Sequence, residues 1–89
     1  MARIEMSDIQ RTESAARAGA PDALFHLGLI YSTGRDREPD LVNAHKWFNL
    51  AAMQGNGAAR EYRLDISQEM SADEISEAQR RAREWIQGY

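Results

Sequence analysis

The stretch that decides the fold runs from Pro21 to Gly55 and reads PDALFHLGLIYSTGRDREPDLVNAHKWFNLAAMQG. It predicts two helices, because its prolines stand where helices can begin, and two of its three glycines, Gly34 and Gly55, stand where helices can end. In chain order, the second predicted helix starts at Pro21 and ends before Gly34. The third has Asp40 as its N-cap and ends before Gly55. Apolar residues surround both predicted helices, which indicates that each is covered on more than one side.

Three further helices are predicted outside this stretch. One runs from about Ser7, or from an earlier residue, to Ala18, with capping-box spacing between Ser7 and Gln10. Another covers 57–69, and the last begins with a second capping box, Ser71 to Glu74. No segment alternates β-branched and polar residues, so no strand is expected. The fold class predicted is all-α, with about five antiparallel helices.

An internal echo links the first predicted helix to the third. Two alanines, a glycine and a further alanine recur at an offset of 36 residues. The copies are Ala15-Ala16-x-x-Gly19-x-x-x-Ala23 and Ala51-Ala52-x-x-Gly55-x-x-x-Ala59. Such a period is typical of stacked helical hairpins, and the glycine suits a left-handed turn at a helix end. The echo therefore predicts a short α–α superhelix, that is, a solenoid.

A more specific pattern lies between Pro21 and Gly55. It reads Ala23-x-x-x-Leu27-Gly28-x-x-Tyr31-x-x-Gly34, then Asp40-x-x-x-Ala44-x-x-Trp47-x-x-x-Ala51-Ala52-x-x-Gly55. This pattern resembles the Sel-one-like repeat, a relative of the tetratricopeptide repeat. The resemblance implies one domain, 1–89, with a partial repeat at 7–18, a full repeat at 21–55 and a degenerate capping repeat at 57–87. Gly34-Arg35-Asp36-Arg37 departs from the family's Gly-x-Gly-Val loop, which predicts a more exposed loop here.

The resemblance also implies a function. Proteins with Sel-one-like repeats are similar to adaptors that hold protein partners, often in bacterial signalling or envelope-associated assemblies. We therefore expect a non-catalytic protein–protein interaction module that binds a protein partner in a groove lined by the second and fourth helices. The candidate contacts are His26, Leu29, Arg60, Tyr62 and Arg63.

Two other functions remain open at this stage. A solenoid with few repeats has large ends, so the chain could be a structural module that forms a homodimer through them. It could also be an enzyme or a small-molecule-binding domain, which would require a pocket of convergent polar groups. Phe25, Leu29 and Ile30 either pack on a neighbouring helix or form an exposed apolar patch.

No residue pattern points to a catalytic, metal or cofactor site. The chain has no cysteine, and His26 and His45 lack ligand spacing. We expect His26 to be an exposed groove residue or a packed ring, and His45 to be at a solvent-facing position beside Lys46. The acids Asp73, Glu74 and Glu77 follow a helix start, where they complement the helix dipole.

Charge and hydropathy restrict the classes of partner and the location that we expect. The net charge is −3, and arginines alternate with glutamates along the last helix. We expect two i, i+4 pairs there, Glu77–Arg81 and Arg80–Glu84. Because no basic face results, nucleic acid is not an expected partner. No apolar run reaches about 18 residues, so membrane insertion is not expected. The absence of a signal-peptide pattern at the N-terminus favours a cytoplasmic location. Trp47 and Trp85 are expected in the core.

Overall fold

In a computed structural model, the described part of the chain comprises residues 2–34 and 38–88, with side chains described from residue 10 onward. It contains five α-helices and no strand. The helices are α1 (Ala2–Arg17), α2 (Pro21–Thr33), α3 (Leu41–Met53), α4 (Ala59–Ser67) and α5 (Ala72–Gln87). They pack antiparallel, so the predicted all-α fold is confirmed.

The third helix is the centre of the molecule. Helix α3 packs against α2, α4 and α5, whereas α1 packs against α2. The most extensive of these contacts joins α2 to α3, and their side chains Leu27 and Phe48 are the largest that are fully buried. The buried residues of α3 are Ala44, His45, Trp47, Phe48, Leu50 and Ala51. The apolar residues that surround this helix in the sequence are thus explained by neighbours on several sides.

A glycine allows α2 and α3 to approach closely. A Cβ atom at Gly28 would lie 2.4 Å from two ring carbons of Phe48. Phe48 is fully buried, so its ring has little room to move aside. Gly28 does not have a positive φ. Packing, and not backbone conformation, therefore requires glycine at this position.

Two N-caps predicted from the sequence are present. The Asp40 carboxylate accepts a hydrogen bond of 3.0 Å from the Asn43 amide at the start of α3. At the start of α5, the Ser71 hydroxyl accepts from the Glu74 amide at 3.1 Å. The Glu74 carboxylate accepts in return from the Ser71 amide at 2.8 Å. This reciprocal pair is the predicted capping box.

The 36-residue echo corresponds to two helix ends with the same geometry. Gly19 after α1 and Gly55 after α3 have left-handed φ values of 85° and 104°. In both, the glycine amide donates to the carbonyl three residues earlier, and the next amide donates to the carbonyl five residues earlier. The four N···O distances are 2.9–3.2 Å. Both ends are therefore Schellman motifs, as the recurring glycine predicted.

Two of the predicted helix boundaries are wrong. Helix α1 begins at Ala2, so Ser7 lies inside it and cannot cap it as predicted. The residues before Ser7 are mostly good helix formers, which extends the helix towards the N-terminus. Helix α4 covers Ala59–Ser67 and not 57–69. Its start is set by Asn56, whose side-chain oxygen accepts hydrogen bonds from the amides of Ala58 and Ala59, both at 3.0 Å.

The solvent-facing position predicted for His45 is also wrong. His45 is only 3% exposed, and its Nδ1 atom has no hydrogen-bond partner. Its place on α3 explains the burial, because three helices cover this one.

The loop between α2 and α3 is described at its two ends. Gly34 is left-handed, with φ 61°, and the Asp40 amide donates to the Tyr31 carbonyl at 2.9 Å. Arg35 to Arg37 lie outside the described residues, and so does the prediction that this loop is more exposed.

Candidate functional site

The five predicted contact residues lie on two helices, as expected. His26 and Leu29 belong to α2, whereas Arg60, Tyr62 and Arg63 belong to α4. His26, Arg60 and Tyr62 are exposed, and Leu29 and Arg63 are half-buried. We call the surface that these five residues define the α2–α4 face.

An aromatic cluster joins the two helices under this face. The Tyr62 ring meets the Phe25 ring edge-on, with 5.2 Å between centroids, and lies 5.4 Å from the Phe48 ring. The Phe25 and Phe48 centroids are 5.6 Å apart. Phe48 is fully buried, whereas Tyr62 is 44% exposed. Tyr62 is thus held by two rings while part of its surface faces solvent.

A shallow depression lies along α2. It has a volume of about 330 Å³ and is lined by His26, Leu29, Ile30 and Thr33. The α4 residues of the predicted set do not line it. Ile30 and Thr33 were not among the predicted contacts, although their spacing from His26 places them on the same side of a helix.

Phe25, Leu29 and Ile30, which were expected either to pack or to form an exposed patch, all pack against the core. Leu29 and Ile30 nevertheless keep part of their surface in the depression. Both side chains are half-buried, so the packing alternative holds for them and neither belongs to an exposed apolar patch.

Arg63 has a structural contact as well as its place on the face. Its guanidinium donates a hydrogen bond of 2.6 Å to the Asn49 side chain of α3. Burial lowers the pKa of His45 below its ordinary value, and the positive charge of Arg63 lowers it further. Arg63 therefore helps to fix α4 on α3. Arg60 is exposed in the first turn of α4.

A charged surface lies between α3 and α5. Arg81 and Glu77 form an ion pair of 2.8 Å, and Arg80 pairs with both Glu77 and Glu84. The two i, i+4 pairs expected in the last helix are therefore present. Hydrogen bonds from Arg80 and Arg81 lower the pKa of Glu77 to about 2.

The two tryptophans meet beside these ion pairs. Their rings are edge-to-face, with centroids 4.8 Å apart. Trp47 is buried, and Trp85 packs half-buried against the core, in agreement with the prediction that both belong there.

The described residues hold no group of three or more His, Cys, Asp or Glu side chains that could bind a metal ion. None of the helices in this part of the chain has the length and apolar character that crossing a membrane requires.

Comparison with protein families identifies the central hairpin. Residues 21–56 match the family model of the Sel1 repeat. This stretch is similar to a Sel1 repeat. The match covers α2 and α3 with the loop between them, and it confirms the resemblance found in the sequence. Sel1 repeats are typically protein–protein interaction modules and are generally non-catalytic. Comparison with curated proteins and with solved structures found no match.

Assignment of the flanking helices to partial repeats stays a prediction. The match ends at Asn56, so α1, α4 and α5 lie outside it. The shared Schellman geometry at Gly19 and Gly55 relates the end of α1 to the end of α3.

Proposed function

We propose that this chain is a non-catalytic adaptor module that binds a protein partner on its α2–α4 face. The observation that carries the proposal is the position of Tyr62. Tyrosine is enriched among the residues that dominate binding energy at protein interfaces. Contacts with Phe25 and Phe48 restrict the ring before any partner arrives, which reduces the entropy lost on binding.

The depression along α2 supports the same proposal. Leu29 and Ile30 give it an apolar floor, and His26 and Thr33 give it polar groups. An apolar side chain of the partner would fit there, with the exposed Arg60 at the edge of the interface. This arrangement of an apolar centre and a polar rim is usual for protein interfaces. A cytoplasmic location and a bacterial origin belong to the proposal as well.

Affinity capture with paired variants tests this proposal. Wild-type protein, His26→Ala, Tyr62→Ala and Leu64→Ala are immobilised, and proteins captured from cells of the source organism are quantified by mass spectrometry. Leu64→Ala is the matched control, because Leu64 is also an exposed apolar residue of α4, at 49% exposure. We expect a partner that binds wild type and Leu64→Ala but is reduced on both face variants.

Circular dichroism checks that each variant is helical. His26→Ala removes an exposed side chain, so it separates loss of binding from loss of folding. A partner that binds all four proteins equally would show that the α2–α4 face is wrongly placed.

Self-association is a second candidate function. Leu64 on α4 and Ile86 on α5 are large apolar residues that are 49% and 55% exposed. Exposed apolar surface of this kind can bind a second copy of the chain. Sedimentation velocity at low and high micromolar concentration tests this candidate. A monomer at every concentration would exclude the homodimer, whereas a dimer that Leu64→Asp dissociates would support it.

A further inference from the structure

Lys46 is the only lysine in the chain, and it lies on the two tryptophans. Its Nζ atom is 4.0 Å from the centre of the Trp47 ring and 5.3 Å from that of Trp85. The side chain is half-buried on α3. Two cation–π contacts therefore hold the ammonium group at a fixed place between α3 and α5.

No carboxylate of the described side chains forms an ion pair with this ammonium group. The ion pairs in this region join Arg80 and Arg81 to Glu77 and Glu84. Arg81 also donates to the Asn43 side chain at 3.3 Å. Glu77 and Glu84 are thus already paired with arginines, whereas Glu13 of α1 acts on Lys46 as a negative charge without an ion pair between them.

A polar pocket of about 330 Å³ surrounds this group, and we call it the Lys46 pocket. Its lining residues are Asn43, Lys46, Glu77, Arg80, Arg81, Glu84 and Trp85. They comprise three cations and two carboxylates, so one positive charge is not balanced within the pocket. That charge is notable because the whole chain carries −3.

Burial makes this unbalanced charge costly. Desolvation lowers the pKa of Lys46 below its ordinary value, and the positive charge of Arg81 lowers it further. A half-buried cation of this kind gains more from an added carboxylate than a fully solvated lysine does.

We propose that the Lys46 pocket binds a carboxylate from an acidic segment of a protein partner. The ammonium group of Lys46 donates to the carboxylate, and Trp85 forms an apolar wall beside it. Arg80 and Glu84 are exposed at the pocket edge and can hydrogen-bond the backbone of the same segment. This second surface lies on α3 and α5, so it does not depend on the α2–α4 face.

Tryptophan fluorescence tests the proposal directly. The chain has only two tryptophans, and both lie against Lys46, so the whole signal comes from this site. A blocked tetraglutamate peptide and a blocked tetraglutamine peptide are titrated into the protein. We expect a saturable change with tetraglutamate alone, and a weaker affinity when NaCl is raised from about 50 to about 500 mM. No saturable change, or the same change with tetraglutamine, would overturn the proposal.

Charge variants locate the binding. Lys46→Met should weaken tetraglutamate binding by about tenfold or more, because a charge-assisted hydrogen bond is lost. Lys46→Arg should keep most of the affinity. Arg83→Met is the matched control, since it removes one exposed cation of α5 that does not line the pocket. An equal loss in Arg83→Met would mean that only net charge matters and would contradict the proposal.

Two measurements on the wild-type protein complete the test. Tetraglutamate should raise the pKa of Lys46, which NMR of its Nζ-attached carbon can follow, because a carboxylate stabilises the ammonium form. An unchanged pKa would count against the proposal.

Free succinate is the remaining probe, and it should bind more weakly than the peptide. Equal affinity would indicate a small-molecule site and would overturn the assignment to a protein segment.

Discussion

At the scale of single residues, Gly28 is a position where the fold leaves no room for a side chain. Gly28→Ala places a Cβ atom 2.4 Å from the buried Phe48 ring. Overpacking of this kind costs about 2 kcal/mol or more. We expect the melting temperature, measured by circular dichroism, to fall by roughly 8–16 °C.

Two variants control for this prediction. Gly57→Ala makes the same chemical change where nothing lies within 4 Å of the new Cβ atom, so stability should be unchanged or slightly higher. Phe48→Leu should recover part of the loss when combined with Gly28→Ala. If Gly28→Ala has the same melting temperature as wild type, that result would contradict the close approach of α2 and α3.

His45 makes stability depend on pH. Its pKa is lowered in the folded protein by burial and by the charge of Arg63, relative to an ordinary value of 6.5. The unfolded chain therefore takes up the proton first as pH falls. The stabilisation is fully present above pH 6.5 and is lost as pH falls towards the folded pKa. We expect urea unfolding at pH 5 to give a smaller free energy of unfolding than at pH 7.5.

The pH at which stability declines distinguishes the contribution of His45 from that of the acidic residues. The Glu77 pKa is lowered from 4.5 to about 2, so its contribution is lost only at lower pH. His45→Leu should remove most of the decline between pH 7.5 and 5, whereas His26→Gln should keep it. A decline that persists in His45→Leu would assign it to another group.

At the scale of the elements, the start of α5 depends on one hydroxyl group. Ser71→Ala removes the acceptor for the Glu74 amide and should cost about 1 kcal/mol of stability. Ser76→Ala is the matched control, because Ser76 is exposed inside the same helix and alanine is the better helix former. Urea unfolding measures both. Equal stability of the two variants would mean that the capping box does not contribute.

Local chemistry explains which helix boundaries the sequence predicts. Pro21, Asp40 and Ser71 act on their own first turns, and Gly55 acts on its own last turn, so each can be recognised without knowing the neighbours. The start of α1 was misplaced because Ser7 also fits the interior of a helix. The start of α4 was misplaced because the cap is supplied by Asn56, whose amide also reaches Asp22 of α2 at 3.3 Å.

At the scale of the whole molecule, the sequence predicts which helices carry the five candidate residues but not which side chains meet. The placement of the five residues on α2 and α4 follows from the repeat pattern. The ring contact of Phe25 with Tyr62 and the stacking of Lys46 on Trp85 join residues far apart in the chain. The burial of His45 likewise depends on three helices covering α3. Such facts come from tertiary packing, which a single-helix pattern does not contain.

Site-specific photo-crosslinking in the source cell is the most direct test of the proposed binding face. A photoreactive amino acid replaces His26 in one version of the protein and Gln79, an exposed residue of α5, in the other. Mass spectrometry then identifies the covalent products. We expect a protein adduct from position 26 that is absent from position 79. Adducts from position 79 alone, or the same adducts from both positions, would contradict binding on the α2–α4 face.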